Sequence, residues 1–395
     1  MGFDLGGLLS GKERAPAECM VEVDQQPIDD LYPFLIEVQV ETSRTEPATA
    51  TLTFETRRDE QGRWLVQDAA SSTFGGDDPV LVEWKPIRLA AAFGAREEEV
   101  FRGFIRQVRA EYPEDAGSAR LVVECQDDSL QMDREHKRRT WGTEQVPASD
   151  ASLLSELVSA YSPLSTTPDC GTGQSGLVNL NQDGTDIEFL KARAEANGYE
   201  LMFREGAVYF GPMRLQGQPQ ETLMVYAGAD TNCLSLTATT DSHQADAVAY
   251  DAPAATGDQP TQETVDPNLP WLGKTHATSA DRGLAPFVWR LSGEAGADAS
   301  RLRDVAQRKA NDFDIHKIQA EGELDGTLYG HVLLAGGTVG VDGLGSRFSG
   351  IWYVDTVTHA FTSQGYRQRF KLLRNAWGDN LGEAAPIGAS LAAIF

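Results

Sequence analysis

The chain has 395 residues, of which 41% are hydrophobic and 24% charged, with a formal net charge of −25 and a pI near 4.6. So large an apolar share excludes general disorder. No run approaches the roughly 18 apolar residues of a membrane-spanning helix, and the acidic balance disfavours nonspecific binding to nucleic acid, whose phosphates would be repelled.

A chain of this length divides into several domains, roughly two to four. Its N-terminal stretch, MGFDLGGLLSGKER, carries Asp4 and no basic residue ahead of its apolar part, which is a poor secretory signal. The first third reads as all-β. Ile36, Val38 and Val40 alternate with Glu37, Gln39 and Glu41, and Ala50, Leu52 and Phe54 alternate with Thr51, Thr53 and Glu55. Each pattern predicts a strand with one buried and one wet face. Further β runs are predicted at Val80–Trp84, Ile87–Phe93, Val100–Arg109 and Ala119–Gln126, separated by turn signals at Phe74–Pro79 and Tyr112–Gly117. Short strands at this spacing imply a sandwich or a barrel. Gly103, inside one run, predicts a bulge or tight bend; the alternative is close approach of another backbone.

The middle changes period. Leu153, Leu154, Leu157, Val158 and Tyr161 fall at helical spacing before Pro163. A second helix is better marked. Thr185 and Glu188 form a capping box, Ile187, Leu190 and Ala194 share a face, and Gly198 stands at the C-cap. A hairpin is predicted over Tyr199–Phe203 and Ala207–Phe210, turning at Arg204-Glu205-Gly206. Residues 251–286, rich in Pro, Thr, Asp and Gly, read as a long exposed loop. A third helix follows over Asp298–Phe313, with Leu302, Val305, Ala306, Ala310 and Phe313 in register. The chain then returns to β at Ile315–Leu324 and Val332–Val341. It closes with a hairpin, 350–359 against 366–375, in which Arg367, Arg369 and Lys371 face away from Tyr366, Phe370 and Leu372. The small apolar tail, Asn380–Phe395, either docks on a partner or frays.

Signals for chemistry are missing. The cysteines, Cys19, Cys125, Cys170 and Cys233, form no CxxC pair. Cys125, in alternation with Leu121 and Val123, reads as a buried structural thiol, and the set suggests a reducing compartment. His136, His243, His276, His316, His331 and His359 form no HExxH and no pair at metal spacing. There is no GxSxG elbow and no P-loop, and Gly336-Gly337 lies between predicted strands rather than opening a helix. No catalytic, cofactor-binding or metal residue is assigned and no cofactor is expected. The cluster Arg134–Arg139 (REHKRR) reads either as a solvated face or as a patch meeting an acidic neighbouring subunit. The stripe Arg367, Arg369, Lys371 has the same two readings.

Several motifs, in order, resemble the late control protein D family, which supplies the baseplate hubs of contractile phage tails and the hub part of VgrG-like type VI spikes. Phe101-Arg102-Gly103-Phe104-Ile105 is similar to its FxGxI strand. Asp183-Gly184-Thr185-Asp186, Phe189-Leu190 and Asn197-Gly198-Tyr199 are similar to its D-x-x-F-L helix with a following G-Y. Gly336–Val341 resembles its glycine-led strand, although Ala335 replaces the expected apolar residue. Phe348–Val354 and YRQRFKLLRN, 366–375, complete the likeness.

The resemblance implies a mainly β fold with an α+β insertion. Two similar small antiparallel β-barrels per protomer are expected, in a ring-shaped homotrimer. The expected domains are a first barrel within 1–127, an α+β insertion at 128–222 and the first part of a second barrel at 223–250. A polar loop and helix insertion at 251–314, the rest of the second barrel at 315–375 and a C-terminal tail at 376–395 follow. Implied partners are a hexameric inner tube, a trimeric spike on a separate polypeptide and other baseplate proteins. Assembly would occur in the bacterial cytoplasm, within a virion or an extracellular particle. The alternatives are a tail-associated cell-wall hydrolase using scattered carboxylates and a carbohydrate-binding β protein presenting Trp271, Trp289 or Trp377.

Overall fold

Alternation of apolar and polar residues sets twelve strands into one large sheet. The computed structural model describes residues 16–69, 79–252, 261–278, 283–291 and 299–383. The N-terminal stretch, nearly all of the Phe74–Pro79 turn, parts of the 251–286 segment and the tail from 384 lie outside the described residues.

Six strands come from the first third: β1 (Ala17–Val23), β2 (Leu35–Ser43), β3 (Thr49–Glu55), β4 (Pro86–Phe93), β5 (Arg96–Glu111) and β6 (Arg120–Asp127). Six more come from the second half: β7 (Gln220–Met224), β8 (Cys233–Thr240), β9 (Ile318–Asp325), β10 (Thr338–Asp342), β11 (Gly350–Thr362) and β12 (Gly365–Arg374). In space the first six lie in the order β1-β4-β5-β6-β3-β2, and the second six in the order β7-β10-β11-β12-β9-β8. The two orders are the same. Every neighbouring pair is antiparallel except β7–β10, which is parallel.

The likeness extends to single residues. β2 carries an extra residue against β3 between Leu35 and Glu37, and β8 carries one against β9 between Cys233 and Ser235. β5 is bulged against β6 between Ile105 and Gln107, and β11 against β12 between Val354 and Thr356. With the bulges aligned, Thr51↔Glu124 corresponds to Glu321↔Lys371, and Ala50↔Cys125 to Ala320↔Leu372.

The two units are joined by β2 and β11, which pair over Val38–Ser43 and Thr356–Phe361. With Gln26–Pro27 alongside β1, the result is one sheet of 13 strands. Among the described residues its ladders run from edge to edge and do not return as two closed rings. Each unit has its own core. The first gathers Val21, Val38, Leu52, Phe54, Leu89, Ile105 and Val123; the second gathers Leu223, Leu324, Val341, Trp352, Val357, Phe370 and Leu372. Phe361 and Tyr366 of the second unit pack into the first core, their rings stacked at 4.1 Å.

Between the units lies an α+β insertion. Helix α1 (Asp150–Ser159) and helix α2 (Asp186–Asn197) pack with the hairpin Glu200–Arg204/Ala207–Gly211 around Leu154, Leu157, Leu190 and Phe210. The capping box of α2 is formed: Glu188 N donates to Thr185 Oγ1 at 3.3 Å and Thr185 N to Glu188 Oε2 at 2.9 Å. Gly198 closes the helix with φ of 66°. A further small sheet (Thr261–Val265, Ala247–Ala252, Val288–Arg290) is covered by helix α3 (Ala299–Ile315) through Val248, Tyr250, Leu302 and Ala306.

The structure corrects several local expectations. Ile36 is 40% exposed because it is the extra residue of the β2 bulge. Val80–Trp84 is not a strand but a bend and turn, ending at Trp84 with φ of 69°. The 251–286 segment contains a strand paired to 247–252 and a bridge from Thr275–His276 to Ala376–Trp377. Residues 247–250, expected in the second barrel, belong instead, with 251–252, to the small sheet under α3. Helix α3 continues to Ile315, so β9 starts at Ile318, and 332–337 precede β10 without strand structure. Gly103 is neither a bulge nor a bend. A Cβ there would lie 2.1 Å from the Gln126 carbonyl oxygen, so the residue serves close approach of β5 to β6; the bulge against β6 comes three residues later, at Arg106.

Candidate assembly interface

Three regions meet where the units join. Arg44 follows β2, Tyr353 lies on β11, and Glu200 opens the hairpin of the insertion. The Arg44 guanidinium reaches Asp355 at 2.6 Å and Glu200 at 3.7 Å. The Tyr353 hydroxyl donates to Glu200 Oε2 at 2.5 Å. Glu200 is buried, and its Oε1 has no hydrogen-bond partner. Burial pushes this carboxyl up from its ordinary range, against the opposing pull of the Tyr353 bond and Arg44. The network is a tie between parts of the chain.

Beside it, His359 of β11 is 1% exposed and contacts the Tyr366 hydroxyl through Nδ1 at 2.8 Å, while Nε2 has no partner. Burial, helped by the Arg204 charge, drives its pKa down to about 3, so the ring is neutral. Asp127, at the end of β6, accepts from Ala48 N, Ser129 N and Ser129 Oγ. Burial nevertheless raises it to about 6. These buried groups are scattered, and none faces another as an acid–base pair.

The basic residues singled out in the sequence find partners within the chain. In the Arg134–Arg139 cluster, Arg134 covers the Trp84 ring at 4.3 Å, Lys137 binds the buried Asp186 at 2.7 Å and Arg138 binds Asp183 at 3.0 Å. Arg139 pairs with Glu156 and covers Trp141. The cluster thus holds the 137–141 strand to the 180–184 strand and α1. On β12, Arg367 pairs with Asp325 at 2.9 Å and Arg369 with Glu323 at 3.0 Å, and Lys371 stands opposite Glu321 in the ladder. Sequence reasoning saw the basic stripe and missed its acidic complement on β9, because the two strands are brought together only by long-range pairing.

All four cysteines are free, with Cys125 and Cys233 buried. Among the described residues no group of three or more His, Cys, Asp or Glu side chains is placed to hold a metal, and no helix is long and apolar enough to cross a membrane. Trp271, 57% exposed, stacks on His276; Trp289 packs on Phe313 and Trp377 on Phe348. They form no shared platform. An open cleft between α2, residues 212–217 and α3 carries side chains of both signs, among them Lys191, Arg214, Asp304 and Asp312.

The fold places the protein in a structural class shared with tail proteins of phages and with spike-related proteins of type VI secretion. It is similar to the 43 kDa tail protein of prophage MuSo2 from Shewanella oneidensis, with a TM-score of 0.65 and 11% identity over 91% of this chain and 98% of that one. It is likewise similar to a tail protein from Neisseria meningitidis MC58, with a TM-score of 0.60 and 11% identity over 91% and 97%. An E. coli component of the type VI secretion system matches with a TM-score of 0.52 and 10% identity over 91% and 77%. By its sequence the chain belongs to the family described as Alg8 N-terminal domain, whose model matches residues 20–363. No curated protein matches it.

Proposed function

We propose that this protein is the baseplate hub of a contractile phage tail or contractile injection system, a structural part that joins a hexameric inner tube to a trimeric spike. The observation that carries the reading is the doubled unit: six strands in the same spatial order, twice in one chain, with matching bulges. Three such chains present six near-equivalent units to a sixfold tube and a threefold surface to a spike. Each unit then acts as one small barrel-like wall element of the ring. On this reading the first unit ends near residue 127, 128–219 form an insertion, and 241–317 form a second insertion within the second unit.

The likeness of the fold to tail proteins favours a mechanical role over hydrolysis. The protein makes its partners through protein surfaces: other copies of itself, the tube, the spike and further baseplate proteins, inside a particle assembled in the bacterial cytoplasm. An obligate ring of this kind buries more than about 2,000 Å² per contact. Light scattering of the purified chain mixed with its spike is expected to give the mass of three copies plus spike. A stable monomer in the presence of spike overturns the hub.

A further inference from the structure

The cleft bounded by α2, residues 212–217, residues 268–270 and α3 encloses about 1450 Å³. A small-molecule pocket holds roughly 300–1,000 Å³, so this space suits a stretch of polypeptide. Its floor is apolar. Leu215 and Ile315 are buried there in one cluster with Ile351 and Tyr353, and Met213 and Leu269 pack against that cluster half-buried. The walls carry charge of both signs, much of it already neutralised within the chain. Arg214 pairs with Asp169 at 3.6 Å and Lys309 with Asp312 at 3.1 Å, and the Arg308 guanidinium of α3 reaches across to the Glu195 carbonyl near the end of α2. Walls neutralised in this way favour an uncharged, apolar occupant over a charged one, whose desolvation they would not offset.

The chain supplies such a segment beside the cleft. After β12 it is pinned to the second unit: the Gly378 carbonyl accepts from Arg374 Nη2 at 2.6 Å, and Asn380 Oδ1 accepts from Ile351 N at 2.9 Å. Leu381, in the turn Leu381–Glu383, packs against the same apolar cluster that forms the cleft floor. The twelve residues that follow, AAPIGASLAAIF (384–395), lie outside the described residues. They contain no charged side chain and four large apolar ones, Ile387, Leu391, Ile394 and Phe395. Twelve extended residues reach about 40 Å. The α3 wall of the cleft, Asp304–Ile315, is about 17 Å long at the helical rise, well within that reach.

We propose that residues 384–395 fold back into this cleft and cover its floor, between α2 and α3 of their own chain. The N-terminal stretch is also apolar in part, but it leads into β1, whose Ala17 packs against the first core rather than on this cluster. Seated in the cleft, the C-terminal segment ties the insertion at 128–219 to the one at 241–317. It reinforces the bridge that Arg308 makes over Gly198, where a Cβ would stand 2.9 Å from the Arg308 Cγ. The segment thereby sets the angle between two insertions that belong to different units of the sheet. The proposal concerns a single chain and does not depend on the hub reading.

The test replaces Phe395 by the photoreactive p-benzoylphenylalanine in the full-length chain, purified without spike. Illumination is expected to attach it to peptides carrying Met213–Gly217 or the α3 wall, at the mass of one chain on a denaturing gel. Attachment elsewhere on the chain, attachment mainly to a second copy, or no attachment overturns the proposal. A second readout is oxidation of Met213 by peroxide, followed by mass spectrometry, since cover slows conversion to the sulfoxide. Ending the chain after Glu383, or Leu391→Asp, is expected to raise Met213 oxidation several-fold, and Leu391→Met to leave it at the wild-type rate. Equal oxidation in all four proteins overturns the proposal as well. Melting curves of the variants establish that they are folded. Either failure leaves the hub standing, because assembly with spike is read separately by light scattering.

Discussion

Gly103 lies where two backbones run closest. A methyl group added there meets the Gln126 carbonyl oxygen and the Asp127 Cα, neither of which can move without breaking the β5–β6 ladder. Gly103→Ala is therefore expected to cost about 1–3 kcal/mol, the usual range for overpacking, read as a lower urea midpoint. An unchanged midpoint would show that β5 and β6 stand further apart. The glycine itself was legible in the sequence; what it faces was not, since Gln126 is far along the chain. His359 makes a second test at this scale. Its neutral form is the one the fold holds, because its folded pKa lies near 3 and its unfolded pKa near 6.5. The unfolded chain thus binds the extra proton first, and stability present above pH 6.5 is lost as pH falls toward 3. Between pH 7 and pH 4 the wild type is expected to lose roughly 3 kcal/mol relative to His359→Gln, by paired urea titrations. A constant difference across that range sinks the assignment of a buried neutral ring. Asp127, raised to about 6, works in the opposite sense in both proteins and cancels in the comparison.

Among the elements, α2 was the most readable. Its cap, its apolar face and its terminal glycine are all local, so periodicity and capping rules suffice. Thr185→Ala removes one capping bond and is expected to cost about 0.5–2 kcal/mol. Leu190→Ala, at a position 1% exposed, is expected to cost about 2–5 kcal/mol. Negligible losses for both in thermal melts would contradict the buried face seen here. The strands were readable to the same depth. Val38 and Val40, or Tyr366, Phe370 and Leu372, alternate inward as their pattern predicts. Bulges were not readable. Ile36 continues the apolar alternation in sequence, yet one extra residue in β2 turns it outward, and Leu234 repeats the event on β8. Such a residue is defined only by its pairing with another strand. Val80–Trp84 failed for a related reason: its apolar residues are needed by the first core, to which Val80 and Leu81 contribute from a turn.

For the molecule as a whole, the order of strands governs everything else. It could not be derived from periodicity, because the junctions that set it join strands distant in the chain, above all β2 and β11, whose residues lie more than 300 positions apart. The resemblance of scattered motifs suggested a doubled architecture, and the pairing register supplies a residue-by-residue correspondence between the halves. The basic cluster at 134–139 and the stripe on β12 illustrate the other limit. Both looked available to partners, and both are largely occupied by carboxylates of the same chain. Among the described residues β8 pairs on one side only, with β9.

The doubling is not complete. β1 runs antiparallel to β4, while its counterpart β7 runs parallel to β10, with an irregular register between Gln220 and Leu223. Parallel pairs are slightly less stable per residue than antiparallel ones. Seated on a hub built from three such chains, six identical tube subunits would not rest on six identical seats. They would alternate between firmer and softer footing, a threefold ripple beneath a sixfold load. Detachment of the tube would then start at the three softer seats, leaving it briefly standing on a tripod.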